Sequence, residues 1–93
     1  MALTSEKRLL IEKVIASFRS RLAQAHGKDA EWTQRYRNGD ESAIDELIIA
    51  SCNEHGLEHA DYRDGIEQDA QLAELHSKSI REVLLGSLSP RPR

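Results

Sequence analysis

The large apolar side chains of this chain recur every three or four residues, which is the spacing of one face of an α-helix. Near the start of the sequence they stand at Leu10 or Ile11, Val14, Ile15, Phe18 and Leu22. This pattern predicts an amphipathic helix over about residues 5–25. Thr4 or Ser5 can cap its start, and Gly27 can end it in the left-handed conformation. The opposite face carries the basic side chains Lys7, Arg8, Arg19 and Arg21.

A short second helix is predicted after this one. Asp29 can cap it by accepting a hydrogen bond from an exposed backbone N–H, and Trp32 and Tyr36 stand one helical turn apart on it. The dipeptide Asn38-Gly39 can then reverse the chain, because both residues tolerate a positive φ. We therefore predict a helix of about two turns.

A third helix is predicted from Asp40, which can cap its start, with Ser42 and Asp45 as a second capping pair. Its buried face should comprise Ile44, Leu47, Ile48, Ser51 and Cys52. Gly56 followed by Leu57 is typical of a Schellman termination, in which the glycine is left-handed and the next apolar residue folds back. The sequence thus places the end of this helix near residue 55.

The last stretch keeps a helical spacing that predicts one long helix over about residues 60–85, closed by Gly86. Gly65 is its weak point, since a glycine inside a helix costs about 1 kcal/mol relative to alanine. The helix can therefore break between Gly65 and Asp69, and Asp69 could cap the new start.

These segments predict an all-α fold, a small bundle of four helices, or five if the last one breaks, with short antiparallel connections. A chain of 93 residues suits one domain, and we assign residues 87–93 to a flexible tail because Pro90 and Pro92 cannot continue a helix. Aromatic residues make up only 4% of the chain, so the core must be thin. We expect a second copy or another protein to complete it, and the sequence predicts a homodimer first.

The formal net charge of −3 hides three blocks of alternating sign. Residues 1–39 carry a net charge of +4, residues 40–75 carry −10, and residues 76–93 carry +3. Such blocks can steer a charged partner, or they can pair loosely within the fold. We expect pairing within the fold to account for much of this charge.

The candidate catalytic and metal-binding residues are few. His55, Glu58 and His59 fit the H-x-x-E-H pattern and are similar to the zinc site of inverted zinc peptidases, but Gly56 lies where we expect the helix to end. Cys52 is best interpreted as a small buried apolar residue. We predict no enzyme activity and no cofactor, and keep a metal site at Cys52, His55 and His59 as an alternative.

Nucleic-acid binding is a second alternative. The short helix, the Asn38-Gly39 turn and the third helix have helix-turn-helix dimensions. However, residues 40–54 contain five acids and no Lys or Arg, and such a helix is repelled by phosphate. Weak binding would therefore have to use the basic first helix, through Lys7, Arg8, Arg19 and Arg21.

The function that the sequence favours is a noncatalytic protein–protein interaction module, a small regulator, adaptor or inhibitor. We expect Trp32 and Tyr36 to be core residues that close the first helix against the third, or an interface if exposed. The module would offer an acidic central surface, from Asp40 to Asp69, to a basic partner, or its basic first helix to an acidic one. The acidic surface could also imitate nucleic acid. The chain has one cysteine and no apolar run long enough for a signal peptide or a membrane span, so we expect a cytoplasmic protein. The candidate partner-binding residues are Trp32, Arg35, Tyr36, Glu41, Asp45 and Glu46.

Overall fold

The computed structural model describes residues 4–84, and the predicted all-α fold is confirmed. The described residues form five helices and no strand. The long final helix predicted from the sequence is divided in two, so the five-helix alternative is the correct one. The predicted tail and the closing Gly86 lie outside the described residues. The helices are α1 Ser5–Lys28, α2 Ala30–Arg37, α3 Ser42–Glu54, α4 His59–Gln68 and α5 Ala70–Leu84.

The first junction lies three residues later than predicted. Thr4 caps α1 by accepting from the Lys7 amide, but the helix continues through Gly27 to Lys28. Asp29 ends it instead, because its extended backbone (φ −101°, ψ 98°) leaves the helix while its N–H still donates to the Ala25 carbonyl. The Asp29 carboxylate then caps α2, as predicted, by accepting from the Trp32 amide at 2.9 Å.

The turn between α2 and α3 uses the predicted glycine. Gly39 has a φ of +87°, the left-handed region that favours glycine. Asp40 accepts hydrogen bonds from the amide and the hydroxyl of Ser42 at 3.0 and 2.6 Å. It therefore caps α3 from the residue before the usual N-cap position, which Glu41 occupies. Ser42 is the first residue of the helix, and the second capping pair with Asp45 is therefore wrong.

The end of α3 is the predicted Schellman motif. Gly56 has a φ of +70°, and the amide of Leu57 donates to the Cys52 carbonyl at 2.9 Å. The amide of Gly56 donates to the Asn53 carbonyl. Leu57 is only 5% exposed, so the chain folds back onto the core before α4 begins.

The break between α4 and α5 falls at Asp69, which is extended (φ −127°, ψ 109°). Its carboxylate accepts from the amides of Gln71 and Leu72 at 2.9 and 3.2 Å and so starts α5. Gly65 is buried inside α4 and does not end it. The capping side chain therefore determines this break.

The core lies around α1, which packs against α3 and α5. The predicted apolar face of α1 is buried, with Ile11, Val14, Phe18 and Leu22 fully inaccessible in one chain. On α3, the predicted Ile48, Ser51 and Cys52 are buried, while Ile44 and Leu47 are half-buried. The buried apolar side chains form one cluster within a single chain.

Candidate functional site

Four of the six lysine and arginine side chains of α1 are paired with carboxylates beyond this helix. Each pair is partly exposed, so each stabilises the fold by only about 0 to 1 kcal/mol. The predicted basic face of α1 is thus paired within the fold, whereas Lys13 and Lys28 form no ion pair in the described residues. The pairs are Lys7 with Asp61, Arg8 with Asp69, Arg19 with Glu82, and Arg21 with Glu54, and Arg8 also pairs with Glu12 within α1.

Two of the candidate partner-binding residues, Arg35 and Glu46, bind each other. The two terminal nitrogens of Arg35 donate to the two carboxylate oxygens of Glu46 at 3.1 and 2.8 Å, and its Nε donates to Asp40 at 2.9 Å. The pKa of Glu46 is lowered by Arg35, and that of Asp40 is lowered by its hydrogen bonds with Ser42 and Arg35. This network joins the end of α2 to the start of α3, and because one guanidinium serves two carboxylates it keeps a net charge of −1.

The other two acidic candidates, Glu41 and Asp45, lie together and stay unneutralised. They stand four residues apart at the start of α3, and both are exposed. Neither forms an ion pair with any residue between 4 and 84. The positive end of the α3 dipole makes their charge less costly there. We call these two residues the acidic ridge, because each of the two grooves described next includes both of them.

The first groove has an aromatic wall and a volume of about 310 Å³. Tyr36 and Ile44 supply its apolar surface, and its carboxylates are the acidic ridge and Asp40. The Tyr36 ring is parallel to that of Trp32, with centroids 5.6 Å apart. We call this the aromatic groove.

Trp32 and Tyr36 have different environments, although the sequence predicts the same role for both. Trp32 is 4% exposed, and its indole N–H donates to the Ala43 carbonyl at 2.7 Å, so it closes α2 against α3. Tyr36 is 37% exposed. The core interpretation is therefore confirmed for Trp32 and wrong for Tyr36, because the next helical turn of α2 extends beyond the core.

The second groove, of about 340 Å³, lies between α3, α4 and α5. Its surface includes Ile48, Tyr62 and His76, and we call it the histidine groove. The Tyr62 hydroxyl and His76 Nδ1 are 2.8 Å apart, and His76 stacks on Phe18 with ring centroids 5.6 Å apart. Burial lowers the pKa of His76, which favours the neutral imidazole. Sequence reasoning missed this pair, although both residues lie on the predicted apolar face of the last stretch.

The geometry does not favour the alternative metal site at Cys52, His55 and His59. Cys52 is fully buried, and desolvation raises the pKa of its thiol, so the thiolate is disfavoured. His55 follows the last residue of α3 and His59 begins α4, so the H-x-x-E-H residues do not share one helix. Among the described residues, no group of three or more His, Cys, Asp or Glu is arranged to hold a metal ion.

Comparison with protein families, with curated proteins and with solved structures finds no match for this chain. Within residues 4–84, no helix combines the length and apolar character that crossing a membrane requires. The two grooves and the acidic ridge between them are the features of the described residues that bear on function.

Proposed function

We propose that this protein is a noncatalytic protein–protein interaction module, a small regulator, adaptor or inhibitor, that binds a basic partner through its acidic ridge. One observation carries the proposal: Glu41 and Asp45 are exposed and unpaired between two grooves, while the fold neutralises many of its other charges. A charged edge beside apolar surface is suited to a partner that has both basic and apolar side chains.

The two other functions considered from the sequence have less support. Nucleic-acid binding through Lys7, Arg8, Arg19 and Arg21 of α1 would require a phosphate to displace the carboxylate partner that each of them already has. The acidic ridge itself repels phosphate. A metal site would need Cys52, which is buried. The cytoplasmic location and the homodimer expected from the sequence remain proposals beside this one.

The proposal is tested by affinity capture from the native host at low salt, with the wild-type chain and a charge-reversed ridge as baits. The ridge variant is E41K/D45K, and Glu46 is left intact because lysine there would break its pairing with Arg35. We expect a basic protein to be captured by the wild type and lost by the ridge variant. Its purified form should then associate with the wild type about tenfold faster than with the variant at low salt.

The matched control is E31K/E58K. Glu31 lies in the first turn of α2 and Glu58 precedes α4, so both are exposed acids at helix N-termini, as in the ridge, and neither lines a groove. This variant has the same net charge and a similar loss of dipole stabilisation. Capture of the same partner by all three baits would reject the acidic ridge as the binding surface.

A further inference from the structure

The aromatic groove has the chemistry of a receptor for one cationic side chain. Tyr36 presents an aromatic surface, and Ile44 can contact a methylene stem. The groove has no basic residue among its described lining, and two of its three carboxylates are the unpaired ridge residues. A volume of about 310 Å³ lies at the small end of ligand pockets, which suits a side chain better than a whole cofactor.

Packing against Trp32 orients the Tyr36 ring for contact with a cationic side chain. One of its neighbours is the parallel Trp32 ring, and Trp32 is itself fixed by burial and by its hydrogen bond to Ala43. No second ring stacks on Tyr36 among the described residues. Tyr36 is 37% exposed, so part of its ring surface is available to a ligand.

The histidine groove is less suited to a cation, although it shares the acidic ridge. Its lining adds a third exposed acid, Glu67, to the ridge, but also Arg63, which has no carboxylate partner in the described residues. Its aromatic residue, Tyr62, is only 1% exposed, with its hydroxyl 2.8 Å from His76 Nδ1, so it offers little ring surface to a ligand. The aromatic groove is therefore the better place for a cationic side chain.

We infer that the aromatic groove binds an arginine side chain of the partner, its guanidinium stacked on Tyr36 and hydrogen-bonded to Glu41 and Asp45. Arginine fits better than lysine, because a planar guanidinium stacks on an aromatic ring and donates two parallel hydrogen bonds to a carboxylate. Arg35 and Glu46 make this two-point contact on the neighbouring side of the same corner. The inference rests on the proposed function and specifies the chemistry of its partner.

The test measures the dissociation constants of three synthetic peptides at low salt by amide chemical-shift changes in the full chain. The first peptide is acetyl-Ser-Leu-Arg-Ser-Leu-Ser-amide. The second has lysine for the arginine, and the third has citrulline, which keeps the shape but has no charge. We expect the arginine peptide to bind about threefold more tightly than the lysine peptide, to shift amides 36–45, and the citrulline peptide not to bind.

Two substitutions at Tyr36 separate the effect of ring stacking from the effect of side-chain size. Tyr36→Phe keeps the ring and should keep the preference for arginine, whereas Tyr36→Leu should reduce it to the part that comes from the paired hydrogen bonds to carboxylate. Thermal melts of both variants establish that they are folded. A preference for arginine that is as large in folded Tyr36→Leu as in the wild type would overturn the stacking geometry.

The neutral ridge variant E41Q/D45Q distinguishes this inference from the proposed function. Equal binding of the arginine and lysine peptides that is lost in E41Q/D45Q would overturn the arginine site and leave the acidic ridge as the binding surface. Peptide binding that is unchanged in E41Q/D45Q would overturn both. No binding of any peptide to the wild type would overturn the arginine site, and the proposed function would then be decided by capture with E41K/D45K and E31K/E58K.

The chain has arginines of its own near its C-terminus, Arg91 and Arg93. The variant R91Q/R93Q tests whether they occupy the groove. We expect the dissociation constant of the arginine peptide to be unchanged. A dissociation constant several times lower would show that the chain's own arginines compete for the groove, and would contradict a site for a partner's arginine.

Discussion

At the scale of single residues, the burial and the hydrogen bond of Trp32 lead to a direct prediction. It is 4% exposed and its indole N–H is hydrogen-bonded to a backbone carbonyl. Because it is the one tryptophan of the chain, we predict a fluorescence emission maximum shifted to the blue of free tryptophan. The shift should disappear in urea. An emission maximum already at the fully exposed position in buffer would contradict the buried indole.

The Tyr62–His76 pair predicts how stability depends on pH. The pKa of His76 is lowered in the folded state because its imidazole is partly buried, while nearby Asp45 opposes the shift. Below the ordinary histidine value of about 6.5 the unfolded chain therefore binds more protons, and folding stability falls as the pH falls from 7.5 towards 5.

Urea unfolding of the wild type and of His76→Gln across this range checks the prediction. The variant keeps the other three histidines, so the difference between the two curves isolates His76. Stability should depend less steeply on pH in the variant. Parallel curves would mean that His76 titrates alike in the folded and unfolded states.

At the scale of the helices, the sequence predicted a helix end wherever the chemistry of several neighbouring residues agreed. Gly56 is followed by an apolar Leu57 that can fold back, and the predicted termination is present. Gly27 is followed by Lys28 and the capping Asp29, and there the helix continues through the glycine. A glycine alone permits a helix end, whereas the residues after it determine whether the end forms.

The end of α3 supplies a direct prediction. Gly56 is left-handed, and a Cβ there would meet nothing within 4 Å, so a substitution changes only the backbone energy. Gly56→Ala should lower the free energy of unfolding by about 1 kcal/mol. Gly56→Asn should cost less, because asparagine tolerates this conformation. Chemical denaturation monitored by circular dichroism measures both, and equal stability of all three proteins would contradict a left-handed residue 56.

Asp69 has two roles that substitutions can separate. Its Oδ1 caps α5, and its Oδ2 pairs with Arg8 of α1. Asp69→Ala should destabilise the protein by about 1 to 2 kcal/mol, since the cap and the pair are both lost. Asp69→Asn keeps a capping oxygen and should cost less. If the two variants were equally unstable in urea, the cap would contribute little.

At the scale of the whole molecule, the sequence predicted the helical class and the apolar face of α1, because periodicity records which side of a helix is buried. It also identified the charge blocks. It could not show which acids pair with which cations, since these pairs join residues up to 63 positions apart, as in Arg19 with Glu82. Glu41 and Asp45 could therefore not be distinguished by sequence from the acids that form ion pairs in the folded chain.

The exposed apolar side chains support the predicted homodimer. Leu75 is 40% exposed on α5, and Leu9 is 55% exposed on α1. We expect light scattering to give twice the monomer mass at tens of micromolar, and Leu75→Lys to restore the monomer. A monomer mass for the wild type under these conditions would contradict the prediction.

The association rate of the captured basic partner tests the central claim most directly. It should be measured by stopped flow at increasing salt for the wild type, E41K/D45K and the control E31K/E58K. If the acidic ridge is the binding surface, E41K/D45K associates about tenfold more slowly at low salt, the control stays close to the wild type, and the difference shrinks as salt rises. Equal rates for the two lysine variants would contradict the claim, because net charge alone would then account for association.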